Sequence, residues 1–499
     1  MKKQQDLTQG NILKVFCLFA LPLFFSSLFQ QLYGTVDLLF VGEYLGKQET
    51  AAVGASGIIV TCMIGIFTGV SVGTGVIVSQ FRGAKDTKNI RLCIKNAYLL
   101  SLFGGAVITI AGLLFSEIAL KLLNTPENIM APALTYMRIY LLAVIPMIFY
   151  NISSGILRAL GDSKTPFQIL ATGGILNVIL DGLFIAVLKW GVAGVAIATL
   201  LAQTFTAVIA FGKVLHSESC TIGHEPKRNV IARMYKFEPD VTAEPFVEKT
   251  LAGSLSQKND SYKTQDAQIP YNSIIELEAK RIISPDFKMI KRILTVGVPL
   301  GLQSMIITFS NLAVQYNING FGEDAVAAFA IYFKAENLIY LPILAFGQAM
   351  ITFTGQNYGA GLKERIRKGV ISCNLLSMGV TAVISAIVFL LGRQILGLFS
   401  DDLAVIEEGL KIIRVSFPFY FLYAILEVTG AVVRGIGKTT QSMFIIICNL
   451  CVVRITILSI FTAVFHSIRW VAAVYPITWC LTAVSFVIYY RMCAKKYLS

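Results

Sequence analysis

Two acidic residues lie inside long apolar stretches of the first half of the chain. Asp37 stands in QQLYGTVDLLFVG, and Asp181 stands in ILNVILDG, four residues after Asn177 and therefore on the same face of a helix. At a rise of about 1.5 Å per residue from the ends of their stretches, Asp37, Asp181 and Thr199 all lie roughly 9 to 12 Å deep. A carboxylate in hydrocarbon is costly. We therefore expect these side chains to meet inside one helical bundle.

Such a group of side chains could bind a small cation. Two carboxylates in a medium of low dielectric disfavour each other's ionisation, so the pair can hold a proton near neutral pH. The pair could instead share a sodium ion with the oxygens of Asn177 and Thr199. A purely structural role, in which each acid is neutral or bonded to a hydroxyl group and fixes helix packing, remains open.

The second half of the chain carries a different set of charges within apolar stretches. Lys334 and Glu336 lie in one stretch, Glu427 in another and Arg454 in a third. Because lone buried charges are expensive, we expect them to pair with one another or to line a water-filled cleft. Aromatic and methionine side chains facing such a cleft would accept varied flat, apolar cations, although packing is the default role of each. The candidates for a substrate cleft are Glu427, Asn151, Tyr150, Tyr316, Met305 and Glu336.

The elements that must position these residues are membrane-spanning helices. The chain has 499 residues, of which 55% are hydrophobic and only 14% charged, and its mean hydropathy is +0.69. This composition is typical of a polytopic membrane protein. Twelve apolar stretches are long enough to span a bilayer: 15–41, 51–79, 93–116, 134–157, 166–188, 192–214, 293–318, 326–354, 370–397, 406–433, 440–465 and 471–490. We predict an all-α integral membrane protein with these twelve helices.

Lysine and arginine are concentrated in alternate loops between these stretches, which indicates by the positive-inside rule that both termini are cytoplasmic. We expect a multi-pass protein of a bacterial plasma (inner) membrane, in contact with lipid and monomeric. The net charge of +13 is explained by these loops, so we do not expect nucleic-acid binding.

An enzymatic or metal-dependent function is disfavoured by the reactive residues. The nine cysteines lie mostly within apolar stretches and show no zinc-site spacing. The three histidines (His216, His224 and His466) lie in the predicted linker and in a loop. We expect neither an enzyme nor a bound cofactor, and no metal ion other than possible Na+ at Asp37, Asn177 and Asp181.

The chain repeats itself with a shift of 276 residues. Gln80 in VSQFRGAKD matches Gln356 in TGQNYGAGL, and RALG at 158–161 matches RGIG at 434–437. Because six spans are an even number, we expect two six-helix bundles related by a pseudo-two-fold along the membrane normal, with a cleft between them. The predicted domains are residues 1–215, a polar cytoplasmic linker at 216–286, and 287–499. We interpret the linker as a passive tether, with a regulatory role as the alternative. Residues 271–283 could form an amphipathic helix at the membrane surface.

Several of these motifs resemble a known family. PLFFSSLFQQLYGTVDLLFVGEYLG, QFRGA, RALGDSKTP and LNVILDG are similar to the MATE (multidrug and toxic compound extrusion) transporters, in family order over nearly all the spans. The resemblance implies a cleft between two six-helix bundles and antiport of organic cations against H+ or Na+. It also implies that Asp37, Asn177 and Asp181 bind the coupling ion, together with Thr199. The long linker is unusual for the family, and Glu427 has no clear match to the second-half acid of some branches.

An alternative function is a flippase for a lipid-linked oligosaccharide, which would share the architecture. Such a protein should carry several cationic residues in its cleft to bind a pyrophosphate group. The two candidates here, Lys334 and Arg454, are fewer than that function would need, which counts against it.

Overall fold

The computed structural model describes residues 5–122, 125–217, 284–465 and 467–497, except for the side chains of 38, 58–59 and 61–63. Every regular element in these ranges is a helix. Most of the predicted linker and the possible helix at 271–283 lie outside the described residues, so the domain limits stay predictions.

Seven α-helices make up the first half. They are α1 (Ile12–Tyr44), α2 (Lys47–Gly83), α3 (Thr87–Leu122), α4 (Glu127–Leu142), α5 (Val144–Ala159), α6 (Lys164–Asp181) and α7 (Gly191–Leu215). A π-helical turn, Gly182–Val187, continues α6. The predicted fourth span is formed by α4 and α5 together, with a 45° bend between them.

Nine α-helices make up the second half. They are α8 (Phe287–Asn319), α9 (Glu323–Gly359), α10 (Lys363–Leu390), α11 (Gly392–Gly397), α12 (Leu403–Ser416), α13 (Tyr420–Gly435), α14 (Thr439–Ile447), α15 (Arg454–Phe465) and α16 (Ile468–Tyr497). The 3₁₀ turn Phe417–Phe419 joins α12 to α13, and the π-helical turn Cys448–Val453 joins α14 to α15. With these joins the described residues provide twelve apolar spans in two sets of six, which confirms the predicted fold.

The backbone repeats the 276-residue shift found in the sequence. Three pairs of residues with positive φ occupy equivalent turns in the two halves. The pairs are Gly46 and Gly322 (97° and 95°), Lys85 and Gly361 (58° and 72°), and Gly161 and Gly437 (97° and 93°). Since a positive φ is uncommon, three coincidences at one shift show that both halves follow one fold.

The break in the fourth span of each half is also shared. The Thr109 hydroxyl donates a hydrogen bond to the Leu141 carbonyl oxygen at 3.0 Å. At the equivalent place the Ser385 hydroxyl donates to the Phe417 carbonyl oxygen at 2.9 Å. Prolines near each break, among them Pro418, remove a backbone donor and leave carbonyl groups that no longer bond within the helix. The two hydroxyl groups stabilise the breaks from the neighbouring helix.

The two halves meet closely along α2 and α8. A Cβ atom on Gly69 would lie 2.1 Å from the Gly301 nitrogen, and one on Gly73 would lie 2.6 Å from the Gly297 Cα atom. These glycines allow the two backbones to touch, as small residues do between membrane helices. Toward the end of the bundle where α1 begins and α16 ends, which we call the termini end, α2 and α9 also touch. The opposite end is called the far end.

Candidate functional site

The two acids singled out in the sequence lie together in the first half. Asp37 is on α1 and Asp181 is the last residue of α6, and their carboxylates lie close enough to interact electrostatically. Asp181 is fully buried, and neither of its carboxylate oxygens has a hydrogen-bond partner among the described residues. The π-helical turn that follows Asp181 is a feature found often at functional sites. Asp37 and Asp181 therefore form one acidic pair.

The two other residues predicted for this site are buried nearby in the same bundle. Asn177 lies one turn before Asp181 on α6, is 2% exposed, and both polar atoms of its amide lack a partner in the described chain. Thr199 is buried on α7, which packs against α6, and its hydroxyl donates to the Val195 carbonyl oxygen of its own helix at 3.1 Å. The amide of Asn177 is thus free to accept or donate, whereas the hydroxyl proton of Thr199 is already used.

Three tyrosines close enough to interact electrostatically surround the pair, and sequence reasoning did not single them out. Tyr33, Tyr136 and Tyr140 all interact with Asp37, and Tyr136 also interacts with Asp181. Tyr33 lies one turn before Asp37 on α1, and this four-residue spacing was the signal that could have found it. Tyr136 and Tyr140 are on α4, whose approach to α1 depends on the tertiary fold.

A cavity of about 400 Å³ lies between the halves, next to this pair. Its wall contains Tyr136 and Tyr140, so the same two tyrosines that interact with Asp37 also line the cavity. The other lining residues are polar but uncharged, or apolar: Gln30, Gly57, Val60, Ile64, Gly65, Thr68, Met147, Ser304, Met305 and Thr308. The cavity therefore offers aromatic rings, thioethers and hydroxyl groups, and no formal charge.

The six predicted cleft residues are distributed over several environments. Met305 lines the cavity. Tyr150 is buried in the first half and its hydroxyl donates to the Pro166 carbonyl oxygen at 3.2 Å. The carbonyl oxygen of Asn151 accepts a hydrogen bond from the Ser71 hydroxyl at 2.6 Å. Tyr316 on α8 is 80% exposed. Of these four, the structure thus brings Met305 alone to the cavity wall.

The other two, Glu427 and Glu336, have partners in the second half. A Glu427 carboxylate oxygen accepts a hydrogen bond from Arg434 Nη2 at 2.5 Å in a buried ion pair. Gly347 faces this pair, because a Cβ atom there would lie 2.4 Å from Glu427 Oε1. Glu336 accepts a hydrogen bond from the Tyr420 hydroxyl.

Arg454 completes the second cluster. It lies near enough to Glu336 for Coulombic attraction, and its guanidinium carbon is 5.1 Å from the centre of the Tyr475 ring. Lys334 lies 5.1 Å from the centre of the Phe399 ring. The buried acids of the second half thus lie beside cations, whereas the acidic pair of the first half has no ion-pair partner within the described ranges.

Comparison with known proteins identifies the family. The MatE family model matches residues 22–183 and 299–487, one segment in each half. The chain is similar to the "Probable multidrug resistance protein YpnP" of Bacillus subtilis, with 30% identity over 92% of this chain and 91% of the relative. It is also similar to the "Probable multidrug resistance protein NorM" of Thermotoga maritima, with 22% identity over 90% and 85% of the two chains.

Solved structures show the same fold. An outward-facing multidrug resistance MATE family transporter of the MOP superfamily matches with a TM-score of 0.80 and 22% identity, over 99% of both chains. A MATE structure in complex with MaL6 matches with a TM-score of 0.81 and 23% identity, again over 99% of both chains. Because the family model matches both halves and a 30% identical relative covers nearly the whole chain, this protein belongs to the MATE family and is a membrane transporter, not an enzyme.

Proposed function

We propose that this chain is a secondary active antiporter that exports organic cations in exchange for H+ or Na+ by alternating access. The observation that carries the proposal is the acidic pair of Asp37 and Asp181. Asp181 is fully buried, Asp37 is partly buried and close enough to interact with it, and no arginine or lysine of the described chain forms an ion pair with either carboxylate. An uncompensated pair of this kind is unfavourable unless a cation or a proton neutralises it.

The atoms around the pair fit a small cation. Asp37 Oδ1, both carboxylate oxygens of Asp181 and the amide oxygen of Asn177 lack partners among the described residues. Oxygen ligands of this kind suit a hard cation such as Na+, and the same two carboxylates suit a shared proton. Thr199 would contribute a lone pair of its hydroxyl oxygen. These four residues are the proposed coupling-ion site.

The positive-inside rule supports an orientation in which both termini face the cytoplasm of a bacterial cell. Helix ends and turns at the termini end carry basic residues, among them Arg82, Lys85, Arg158, Lys164 and Lys363. With this orientation the contacts between α2 and α8 and between α2 and α9 close the cytoplasmic side, and the cavity belongs to the outer half. The conformation described here is then an outward-facing one.

The cavity supports a substrate that is flat, largely apolar and positively charged. Its aromatic rings attract cations through their faces, and its methionines adapt to varied shapes. The relatives in Bacillus and Thermotoga are both named "Probable multidrug resistance protein", which supports drugs as the substrate class. A flippase for a lipid-linked oligosaccharide is less well supported, because the lining residues of the cavity include no lysine or arginine for a pyrophosphate.

The proposed cycle depends on the charge of the pair. An ion or proton arriving from outside neutralises Asp37 and Asp181, which weakens the attraction for a cationic drug in the adjacent cavity and favours its release. After the change to the inward-facing state the ion leaves and a drug binds. The ion drives the cycle because it binds the two states with different affinities.

Efflux of a fluorescent organic cation from proteoliposomes tests the proposal. A pH gradient and a Na+ gradient are imposed separately on the purified protein. Transport that follows one gradient identifies the coupling ion, and transport that follows neither contradicts antiport. Movement of a pyrophosphate-linked lipid between leaflets, with no movement of the cation, would favour the flippase.

A further inference from the structure

We propose that residues 5–10, which precede α1 and which we call the strap, lock the termini end closed and must detach from the first half when that end opens. The inference rests on the proposed alternating access, since only a transporter that opens this end would need to release the strap. Two features carry it: the anchoring of the strap on the second half and its latch to the first half.

The strap is anchored on the second half although it begins the first. Leu7 is fully buried in a cluster with residues of α9, among them Phe353. The Leu7 carbonyl oxygen accepts hydrogen bonds from Asn357 Nδ2 at 3.2 Å and from Arg365 Nε at 3.3 Å.

Arg365 is the main anchor. Its guanidinium group donates from Nη1 to the Gly10 carbonyl oxygen at 2.9 Å and from Nη2 to the Gln9 carbonyl oxygen at 2.8 Å, in addition to its bond with Leu7. A planar guanidinium presents five donors on three nitrogens in a fixed arrangement and can serve three separate carbonyl groups, whereas the three donors of a lysine all lie on one nitrogen. One side chain of the second half therefore binds three carbonyl groups of the strap.

The latch to the first half is a single close contact. The Gln5 backbone nitrogen donates to the Gly161 carbonyl oxygen at 3.1 Å. Gly161 has a φ of 97°, and a Cβ atom there would lie 2.0 Å from the Gln5 carbonyl oxygen. Only glycine satisfies both the backbone conformation and the approach of the strap at this turn.

Gln356 joins the strap to both halves. Its Oε1 accepts a hydrogen bond from the Leu7 backbone nitrogen at 3.1 Å, and its Nε2 donates to the Ala159 carbonyl oxygen of α5 at 2.8 Å. Separation of the halves at this end must break the Gln356–Ala159 bond and the Gln5–Gly161 bond. The bonds of Arg365 and Asn357 to the strap can persist, because the strap stays with the second half when the halves separate.

The crossing bond of Gln356 has an equivalent in the repeat. Gln80, the equivalent of Gln356, donates from Nε2 to the Gly435 carbonyl oxygen at 3.0 Å. Ala159 and Gly435 are themselves 276 residues apart, so the two glutamines make the same crossing bond in opposite directions. The Oε1 atom of Gln80 accepts a hydrogen bond from Nη2 of the exposed Arg292 side chain at 3.5 Å, whereas the Oε1 atom of Gln356 accepts one from the strap. The strap thus adds a backbone contact to the crossing that Gln356 makes.

Hydrogen–deuterium exchange on the purified full-length protein, without substrate or ion gradient, tests the lock. The peptides of interest cover residues 152–166 and 350–366, where the termini ends of the two halves meet. We expect the Arg365→Ala variant to exchange about tenfold faster in both peptides than the wild type. That factor corresponds to about 1.4 kcal/mol. Arg365→Lys should fall between the two, because it keeps the charge and loses the three-way hydrogen bonding.

Lys368→Ala is the matched control. Lys368 lies one turn further along α10, pairs with Glu364 of the same helix at 2.8 Å and is exposed, so its removal should leave exchange unchanged. Deletion of residues 2–9 provides a second variant if Arg365→Ala fails to fold, and it should give the same increase. Exchange within twofold of the wild type in the folded variant would overturn the proposal. Gradient-driven efflux is measured separately. Failure of the lock would then appear in the exchange data, whereas failure of antiport would appear in the efflux data.

Discussion

Replacement of Asp181 by asparagine should abolish gradient-driven efflux while leaving the fold intact. Asparagine keeps the volume of the side chain and one oxygen acceptor, but it cannot be ionised and so cannot exchange a proton or balance a sodium ion. Asp181 is fully buried and has no cationic partner in the described chain. Removal of its charge therefore removes a desolvation cost, and thermal stability should be equal to or higher than that of the wild type.

The size of the loss follows from the gradient. A difference of one pH unit supplies about 1.4 kcal/mol for each proton exchanged, which supports about a tenfold concentration ratio of a substrate exchanged one for one. With the coupling group removed, this ratio should fall to about one. The Asp37→Asn variant should behave in the same way, because the two carboxylates lie within reach of each other and act as one group.

The assay is accumulation of a fluorescent cation in proteoliposomes under an imposed pH or Na+ gradient. Asp401→Asn is the control, because Asp401 is an exposed carboxylate in the far-end loop before α12. The double variant at positions 37 and 181 should be no worse than either single variant. Undiminished accumulation in either single variant, or independent contributions from the two positions, would refute the assignment of a shared site.

Three further changes test other parts of the structure. Gly69→Leu should separate α2 from α8 and lower the thermal midpoint of unfolding, because the Gly301 backbone leaves no space for a side chain. Overpacking of this kind costs about 1 to 3 kcal/mol. Gly54→Leu on the same helix is the control, because the space around Gly54 is open. Met305→Ala should raise the KM for large apolar cations roughly tenfold while small ones are less affected, as transport assays with a size series would reveal; equal effects on all sizes would contradict contact with substrate. Glu336→Gln should lower stability, since it leaves a nearby cation uncompensated, but the dependence of efflux on the ion gradient should stay unchanged; loss of that dependence would show a second coupling site.

Much of this architecture could be predicted from the sequence because its signals are local. Each span is an apolar stretch of sufficient length, and each turn carries its own polar residues. The repeat could be found because turn residues such as Gln80 and Gln356 are retained at a constant shift, and the positive-φ turns of Gly161 and Gly437 confirm it in the backbone. Asp37 and Asp181 could be placed at one depth because helices have a constant rise.

The remaining features depend on contacts between distant segments. The tyrosines around the acids come from α1 and α4, and the approach of Tyr136 and Tyr140 leaves no trace in the spacing of either helix. Pairing of Glu427 with Arg434, seven residues further on in the same helix, was not anticipated, because Lys334 and Arg454 were the cations considered. The role of Leu7 is equally non-local, since its partners lie about 350 residues away in the chain.

The two halves have the same backbone fold but place their buried charges differently, and this difference argues for a single coupling site. A cation binding at Glu427 or Glu336 would compete with Arg434 or Arg454, and displacement of a buried partner costs several kcal/mol because the arginine is left uncompensated. No such competitor pairs with Asp37 within the described residues. An ion can therefore enter and leave the first half without leaving another charge unpaired, which is the condition that a reversible coupling site must meet. In the proposed antiport, the repeat would supply two similar bundles that move against each other, and the unpaired acids would make one of them responsive to the ion.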